Sequence, residues 1–244
     1  MFRPWTNRAG SLILEFVKSL SILLFALWGL IPALAHGGTS NTAQNEDRLV
    51  ALTGDEDYAD EESAWDRTYS RNDFVFGKEP AEFLRKNVDL LPKGKALDIA
   101  MGEGRNTVYL AKKGFISEGV DISAVGLHKA QGLAKQNHVT ITTVNADLNH
   151  YKIRPNGYAV ILNFYYLQRS LFPQIKAGLK HGGIVVFETY TRDQLKNPGN
   201  LGWEKEFLLE PGELKRAFSN FEILYYNESN DGKSAIASLI ARRP

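Results

Sequence analysis

Residues 95–106 read Lys95-Ala96-Leu97-Asp98-Ile99-Ala100-Met101-Gly102-Glu103-Gly104-Arg105-Asn106. An apolar run ends in small residues with glycine at alternate positions, and a helix-compatible stretch follows. Glycines in such a turn let the backbone approach a ligand, and the helix start beyond it offers unpaired N–H groups. Working outward, apolar runs alternate with helical patterns. Strands are expected at 96–100, 116–121, 139–144, 159–163 and 184–189, then at 221–226 and 235–241. Helices are expected at 105–113, 124–136 and 167–180, with a loop over 147–157. A further amphipathic helix should follow Glu79-Pro80, with Phe83, Leu84, Val88, Leu90 and Leu91 as its apolar positions. A β-α-β-α rhythm with apolar strands predicts an α/β fold: a doubly wound, mostly parallel, seven-stranded sheet with helices on both faces. The last two strands, joined by a turn at 229–232, should form an antiparallel C-terminal hairpin on the sheet edge.

Composition narrows the chemistry. The chain has 244 residues, 43% of them hydrophobic and 23% charged, with a net charge of +1. That balance gives no whole-chain case for nucleic-acid binding. The absence of cysteine rules out disulfides, thiolate catalysis and Cys-ligated metals. The five histidines are scattered, without the spacing of a metal-binding pair, so no metal site is expected. Charge is unevenly placed: residues 1–35 carry +2, residues 36–66 carry −8 with nine acids and one Arg48, and the remainder carries +7. Ser19 to Ala35 is uncharged and rich in Leu, Ile and Phe, follows Arg3, Arg8 and Lys18, and closes with Ala33-Leu34-Ala35. These features predict an N-terminal signal peptide or membrane anchor over 1–35, with membrane association through residues 11–35. An amphipathic or buried helix and a misassigned start are the other readings. An acidic disordered linker is expected over 36–60 and the folded domain over 61–244.

Three acids close three successive strands: Asp98, Asp121 and Asp147. In a doubly wound fold, an acid ending the second strand accepts hydrogen bonds from ribose hydroxyls. Asp121 could instead cap the next helix, a role Ser123 can also fill. Asp147 is placed to take an exocyclic amine, or stands as a solvated loop carboxylate. A nicotinamide-binding loop would want a third glycine where Thr107 stands.

On these residues the sequence resembles class I S-adenosylmethionine-dependent methyltransferases, whose fold is Rossmann-like, from about Trp65 to the C-terminus. Leu97-Asp98-Ile99-Ala100-Met101-Gly102-Glu103-Gly104 looks like the family's first motif, departing from it at Ala100, where a glycine is expected. Gly102-Glu103-Gly104-Arg105-Asn106, Asp121-Ile122-Ser123, Asn163 to Arg169, Phe187 to Thr191 and Leu208 to Leu214 are closest to its tellurite-resistance-type branch. The resemblance implies S-adenosyl-L-methionine as cofactor, bound by Asp98, Ala100, Gly102 and Gly104 in the loop. Asp121, Ile122, Ala146, Asp147 and Asn163 would hold it at the next strand ends. Trp65, Tyr69 and Phe76-Gly77-Lys78-Glu79-Pro80 resemble a lid folded over the cofactor.

The reaction so implied is in-line methyl displacement onto a small-molecule acceptor. Asn163, Phe164, Tyr165 and Tyr166 are the residues expected near the methyl group, because aromatic faces attract a sulfonium. Tyr69, Arg169, Glu188 and Tyr190, with Arg192 beside them, are the substrate-side candidates, and no general base stands out. Asn163-Phe164-Tyr165-Tyr166 is superficially similar to an adenine-methylating loop. It lacks that loop's prolines, and no nucleic-acid partner is expected. The alternative is a membrane-tethered, non-catalytic binding or interaction module. The leader points outward while cofactor supply favours the cytoplasmic side.

Overall fold

The computed structural model describes residues 55–198 and 204–244. The expected leader therefore lies outside the described residues, as does the linker up to residue 54. No described helix is long and apolar enough to cross a membrane.

Seven strands form one sheet: β1 (Lys95–Ile99), β2 (Ile116–Asp121), β3 (Thr142–Asn145), β4 (Tyr158–Phe164), β5 (Leu179–Tyr190), β6 (Glu222–Asn230) and β7 (Ala235–Arg242). Their order is β3-β2-β1-β4-β5-β7-β6, parallel as far as β5, with β7 antiparallel to both β5 and β6. The helices are α1 (Asp55–Tyr69), α2 (Glu82–Asn87), α3 (Arg105–Lys112), α4 (Ala124–Gln136), α5 (Leu171–Gly178) and α6 (Glu213–Ala217). The expected sheet, with its hairpin on the edge, is the one observed.

Period-two alternation divides the buried strand residues between two faces. Leu97, Ile99, Ile161, Val185 and Phe187 pack with Ile175 of α5 and Leu214 of α6. Ala96, Val160, Leu162, Ile184 and Val186 pack with Leu84 of α2 and Leu110 of α3 on the other side. Every residue of β4 is buried, which is why its sequence is a continuous apolar run rather than an alternating one.

From β1 the chain winds outward through β2 to β3, then returns to place β4 on the other side of β1. That reversal splays the loops after β1 and β4 apart and opens a crevice at the C-terminal strand ends.

Several boundaries differ from those expected. The expected linker over 36–60 is helical from Asp55, because α1 begins there. Its acid-rich sequence offers only a thin buried stripe, such as Ala64 and Tyr69, too little to show a helical period. The third strand starts at Thr142 rather than 139, since the Val139 N–H is spent on the Ala134 carbonyl that ends α4. The helix expected over 167–180 stops at Gly178, and Leu179 already opens β5. In α2 the apolar face holds Leu84, while Leu90, in the 3-10 turn that follows, is 52% exposed. The five-residue α6 is too short to betray itself by periodicity.

Candidate active site

The loop from β1 to α3 is wound tightly. Gly102 and Gly104 have φ of +55° and +83°, and so does Ala100, at +52°. Left-handed backbone suits glycine and costs other residues about 1–2 kcal/mol. The position at which the sequence departs from the expected glycine pattern thus keeps the glycine's conformation. Ala100→Gly should raise stability by about 0.5 kcal/mol, the strain relief exceeding the added chain entropy. Denaturant unfolding of the two proteins measures it, and a loss of stability would show that Ala100 carries no strain.

The three strand-end acids converge on one cavity of roughly 300 Å³ beside this loop. Asp98 is 3% exposed and accepts a 2.7 Å hydrogen bond from the Thr107 hydroxyl. Burial pushes its carboxyl up to about 7, against the pull of that bond. Asp121 receives the Gly102 N–H at 2.7 Å on one oxygen and the Ser123 N–H at 2.9 Å on the other. Burial raises it to about 6, with these two backbone bonds opposing. Ser123 is the helix cap, accepting the Gly126 N–H at 3.0 Å, so Asp121 is released from that duty. Asp147 is likewise half-engaged, with the Asn149 N–H at 2.7 Å and His150 Nδ1 at 2.8 Å. A carboxylate offers about four acceptor positions, so Asp121 and Asp147 each keep capacity for a ligand. Glu61 of α1 also lines the cavity. Its carboxyl is held above the ordinary range by burial and by the charges of Asp147 and Asp121.

The end of β4 supplies the aromatic wall. Phe164, Tyr165 and Tyr166 line the cavity with Tyr190 from β5. Tyr165 takes φ +58°, its N–H donates to the Glu188 carbonyl at 2.7 Å, and its hydroxyl donates to Glu188 Oε1 at 3.1 Å. The Tyr165 and Tyr190 rings lie 5.6 Å apart.

Five expected site residues do not line the cavity, and the first of them, Gly104, shapes the loop as the left-handed residue that starts α3. Asn163 is 1% exposed and donates to the Tyr166 carbonyl at 2.6 Å, bracing the loop from behind. Glu188 stands behind Tyr165, its second oxygen taken by the Ser238 hydroxyl at 2.7 Å. Arg169 is consumed as a brace: it makes a two-pronged pair with Glu213 at 2.6 and 2.9 Å and also donates to the Glu206 and Leu208 carbonyls. Ala146 packs against the core, and its N–H is given to the Asp121 carbonyl. Arg192, a weaker candidate, pairs with Glu210 at 2.8 Å.

Of the segment expected as a lid, Trp65, Tyr69, Phe76 and Gly77 line the cavity, and Lys78, Glu79 and Pro80 do not. Trp65 stacks on Tyr69 with ring centres 5.4 Å apart, and Phe76 meets Tyr69 edge-on. The Lys129 ammonium donates to the carbonyls of Tyr69, Arg71 and Asp73 and pairs with Glu103. Glu103 in turn accepts the Val75 N–H at 2.7 Å. The Asp66 carboxylate takes the Ser123 hydroxyl at 2.5 Å, tying α1 to the start of α4. The sequence pattern did not mark Glu103 and Arg105 as functional residues, although both flank the loop glycines. It held no signal for Leu148, or for Phe207, which reaches the cavity from beyond β5.

Comparison with known proteins places this geometry. A model of the family described as "Tellurite resistance protein TehB" matches residues 66–234. The probable S-adenosyl-L-methionine-dependent methyltransferase TehB of Haemophilus influenzae is 26% identical over 167 residues, covering 61% of this chain and 57% of that protein. The crystal structure of Haemophilus influenzae TehB superposes with a TM-score of 0.58 at 20% identity, over 75% of this chain and 67% of that one. Geranyl diphosphate C-methyltransferase from Streptomyces coelicolor, solved with S-adenosyl-L-homocysteine, gives a TM-score of 0.55 at 14% identity, over 66% and 75% of the two chains. These two structural likenesses speak to the fold.

Proposed function

Since the chain belongs to the tellurite resistance protein TehB family, we propose that it is a class I S-adenosylmethionine-dependent methyltransferase acting on a small acceptor. The observation that carries this reading is the pairing, in one cavity, of an acidic half with an aromatic half. That lining suits a ligand with a positive sulfur, an ammonium and a ribose, and suits an anionic nucleotide poorly. Bound there, S-adenosylmethionine would supply an electrophilic methyl group on a cationic sulfur, whose in-line transfer demands alignment and desolvation.

The chain's own residues divide that work. Asp98 is placed for the ammonium, Asp121 for the ribose hydroxyls and Asp147 for the adenine amine. Ile122 and Leu148 offer apolar surface on the same side. Tyr165, Tyr190 and Phe164 favour a sulfonium by about 0.5–2 kcal/mol per ring contact. Trp65, Tyr69 and Phe76 exclude water. Glu188, the carboxylate behind the aromatic wall, is held by Tyr165 and Ser238 and is not free to act as a base. Burial and the Glu188 charge push the Tyr165 hydroxyl well above the usual phenol range. The acceptor is therefore already nucleophilic, and the family's description points to metalloid oxyanions, with thiols as the second class. Incubation with methyl-labelled S-adenosylmethionine and tellurite, selenite or a thiol should give a labelled product with one of them. Cofactor binding without transfer to any acceptor would overturn the catalytic reading.

A pH dependence follows from the buried acids. In the folded protein Asp98 and Asp121 hold their protons up to about 7 and about 6, against 3.8 when exposed. Folded protein then binds more protons than unfolded, so the stability these groups contribute is full below about pH 4 and falls as pH rises towards 7. A cationic ligand favours the ionised acids and drives the protons off. Affinity for S-adenosylmethionine should rise by about tenfold or more from pH 5 to pH 8, with net proton release near pH 6. Calorimetry in two buffers of different ionisation enthalpy reads both. A flat profile would separate Asp98 and Asp121 from ligand binding.

A further inference from the structure

Among the described residues lining the cavity, one side chain is a cation: Arg105. It opens α3 directly after the glycine loop. One of its nitrogens donates to the Phe76 carbonyl at 3.0 Å, and the guanidinium lies 5.8 Å from the centre of the Tyr165 ring. It makes no ion pair with a carboxylate among the described residues. A guanidinium carries five N–H donors in a fixed fork, and this one spends a single donor on the protein. Arg169, by comparison, is fully engaged with Glu213 and two carbonyls. The Arg105 charge is felt by Asp98 on one side and by Tyr165, Tyr190 and Glu188 on the other. It stands at the boundary between the acidic and aromatic halves, where a methyl group and its acceptor would meet.

The electrostatics make this position selective. Glu61, Asp98, Glu103, Asp121 and Asp147 all border the cavity. The acidic half of the cavity disfavours an anion, and Arg105 at its edge is the one cation among the described lining residues. The planar fork matches two oxygens of one oxyanion or carboxylate, a geometry an ammonium does not reproduce.

We infer that Arg105 binds the negatively charged oxygens of the methyl acceptor and makes the enzyme prefer anionic acceptors to neutral ones, an assignment that rests on the methyl-transfer reading above. The Phe76 bond adds a consequence: an anion drawn to Arg105 also settles the lid segment that carries Phe76.

The test uses the full chain and selenite as the probe, titrated calorimetrically with and without S-adenosylhomocysteine, for wild type, Arg105→Gln and Arg105→Lys. Loss of a bidentate, charge-assisted contact should weaken selenite binding by about 10–100-fold in Arg105→Gln. Arg105→Lys should recover part of it, since the charge returns without the fork. In both variants KM for selenite should rise by a larger factor than the Kd of S-adenosylhomocysteine or the KM for the neutral thiol 2-mercaptoethanol. Three results would overturn the assignment: selenite that fails to bind wild type, selenite affinity indifferent to Arg105→Gln, or equal losses for selenite and S-adenosylhomocysteine. The last would mean that the guanidinium holds the cofactor's own carboxylate. Failure of the methyl-transfer reading has a separate signature, wild type that does not bind S-adenosylhomocysteine, and the selenite titration without it still reads Arg105 alone.

Discussion

Replacing Asp121 by Asn should lower affinity for S-adenosylhomocysteine by about 100-fold or more, through loss of two charge-assisted hydrogen bonds to the ribose hydroxyls. The carboxylate is already fixed in place for those bonds. Its two oxygens are held by the Gly102 and Ser123 N–H groups at 2.7 and 2.9 Å, so it cannot turn away. Stability should behave differently from affinity. The variant leaves one of those N–H groups without a good acceptor, which costs about 1–3 kcal/mol. It also removes a carboxyl that burial pushes up to about 6, so no charge need be buried at neutral pH. These effects oppose each other, and the thermal midpoint should move far less than the affinity. A variant that melts much earlier and binds as well as wild type would make Asp121 a structural residue and remove it from the cofactor site.

Gly104→Ala should be strongly damaging to the fold. Gly104 combines a φ of +83° with a packing constraint: a Cβ there would lie 2.5 Å from Ala130 Cβ and 3.1 Å from Ala130 Cα. The backbone of α4 cannot yield as a flexible side chain would. Left-handed strain of about 1–2 kcal/mol and overpacking of about 1–3 kcal/mol together give about 2–5 kcal/mol. For a domain of this size that lowers the thermal midpoint by roughly 10 °C. Gly77 provides the control, since its φ is +73° but nothing lies within 4 Å of the added carbon. Gly77→Ala should show the backbone cost alone. Equal losses in the two variants would mean that α3 and α4 do not depend on their close approach at Gly104.

The sequence disclosed the parts of the structure that topology controls. Strands buried on both faces announce themselves as apolar runs, and the acids at their C-terminal ends are carried to the crevice wherever the sheet reverses. Asp98, Asp121 and Asp147 could therefore be placed from order along the chain alone. Side-chain direction was not legible in this way. Arg169 and Arg105 both follow strand ends, yet Arg169 turns to Glu213, 44 residues away, while Arg105 turns into the cavity. Nothing local to either residue states which partner wins. Asn163 and Glu188 sit at the expected strand ends but brace Tyr166 and Tyr165 from behind. A strand's alternate residues face opposite ways, and the bend after β4 decides which of them meets the ligand. Helix α1 was hidden for another reason: its acidic, weakly amphipathic sequence has the composition of a tether, and its order comes from contacts such as Asp66 to Ser123.

The most direct test of the account is calorimetric titration of the full chain with S-adenosylmethionine and, separately, with NAD. Thr107 bears on the comparison. It occupies the place of the third glycine of a dinucleotide loop, is fully buried, and gives its hydroxyl to Asp98. S-adenosylmethionine should bind with Kd on the order of micromolar, and NAD should not bind. Binding of NAD, or of neither ligand, would contradict it, because the glycine loop and the strand-end acids would then serve some other ligand or none.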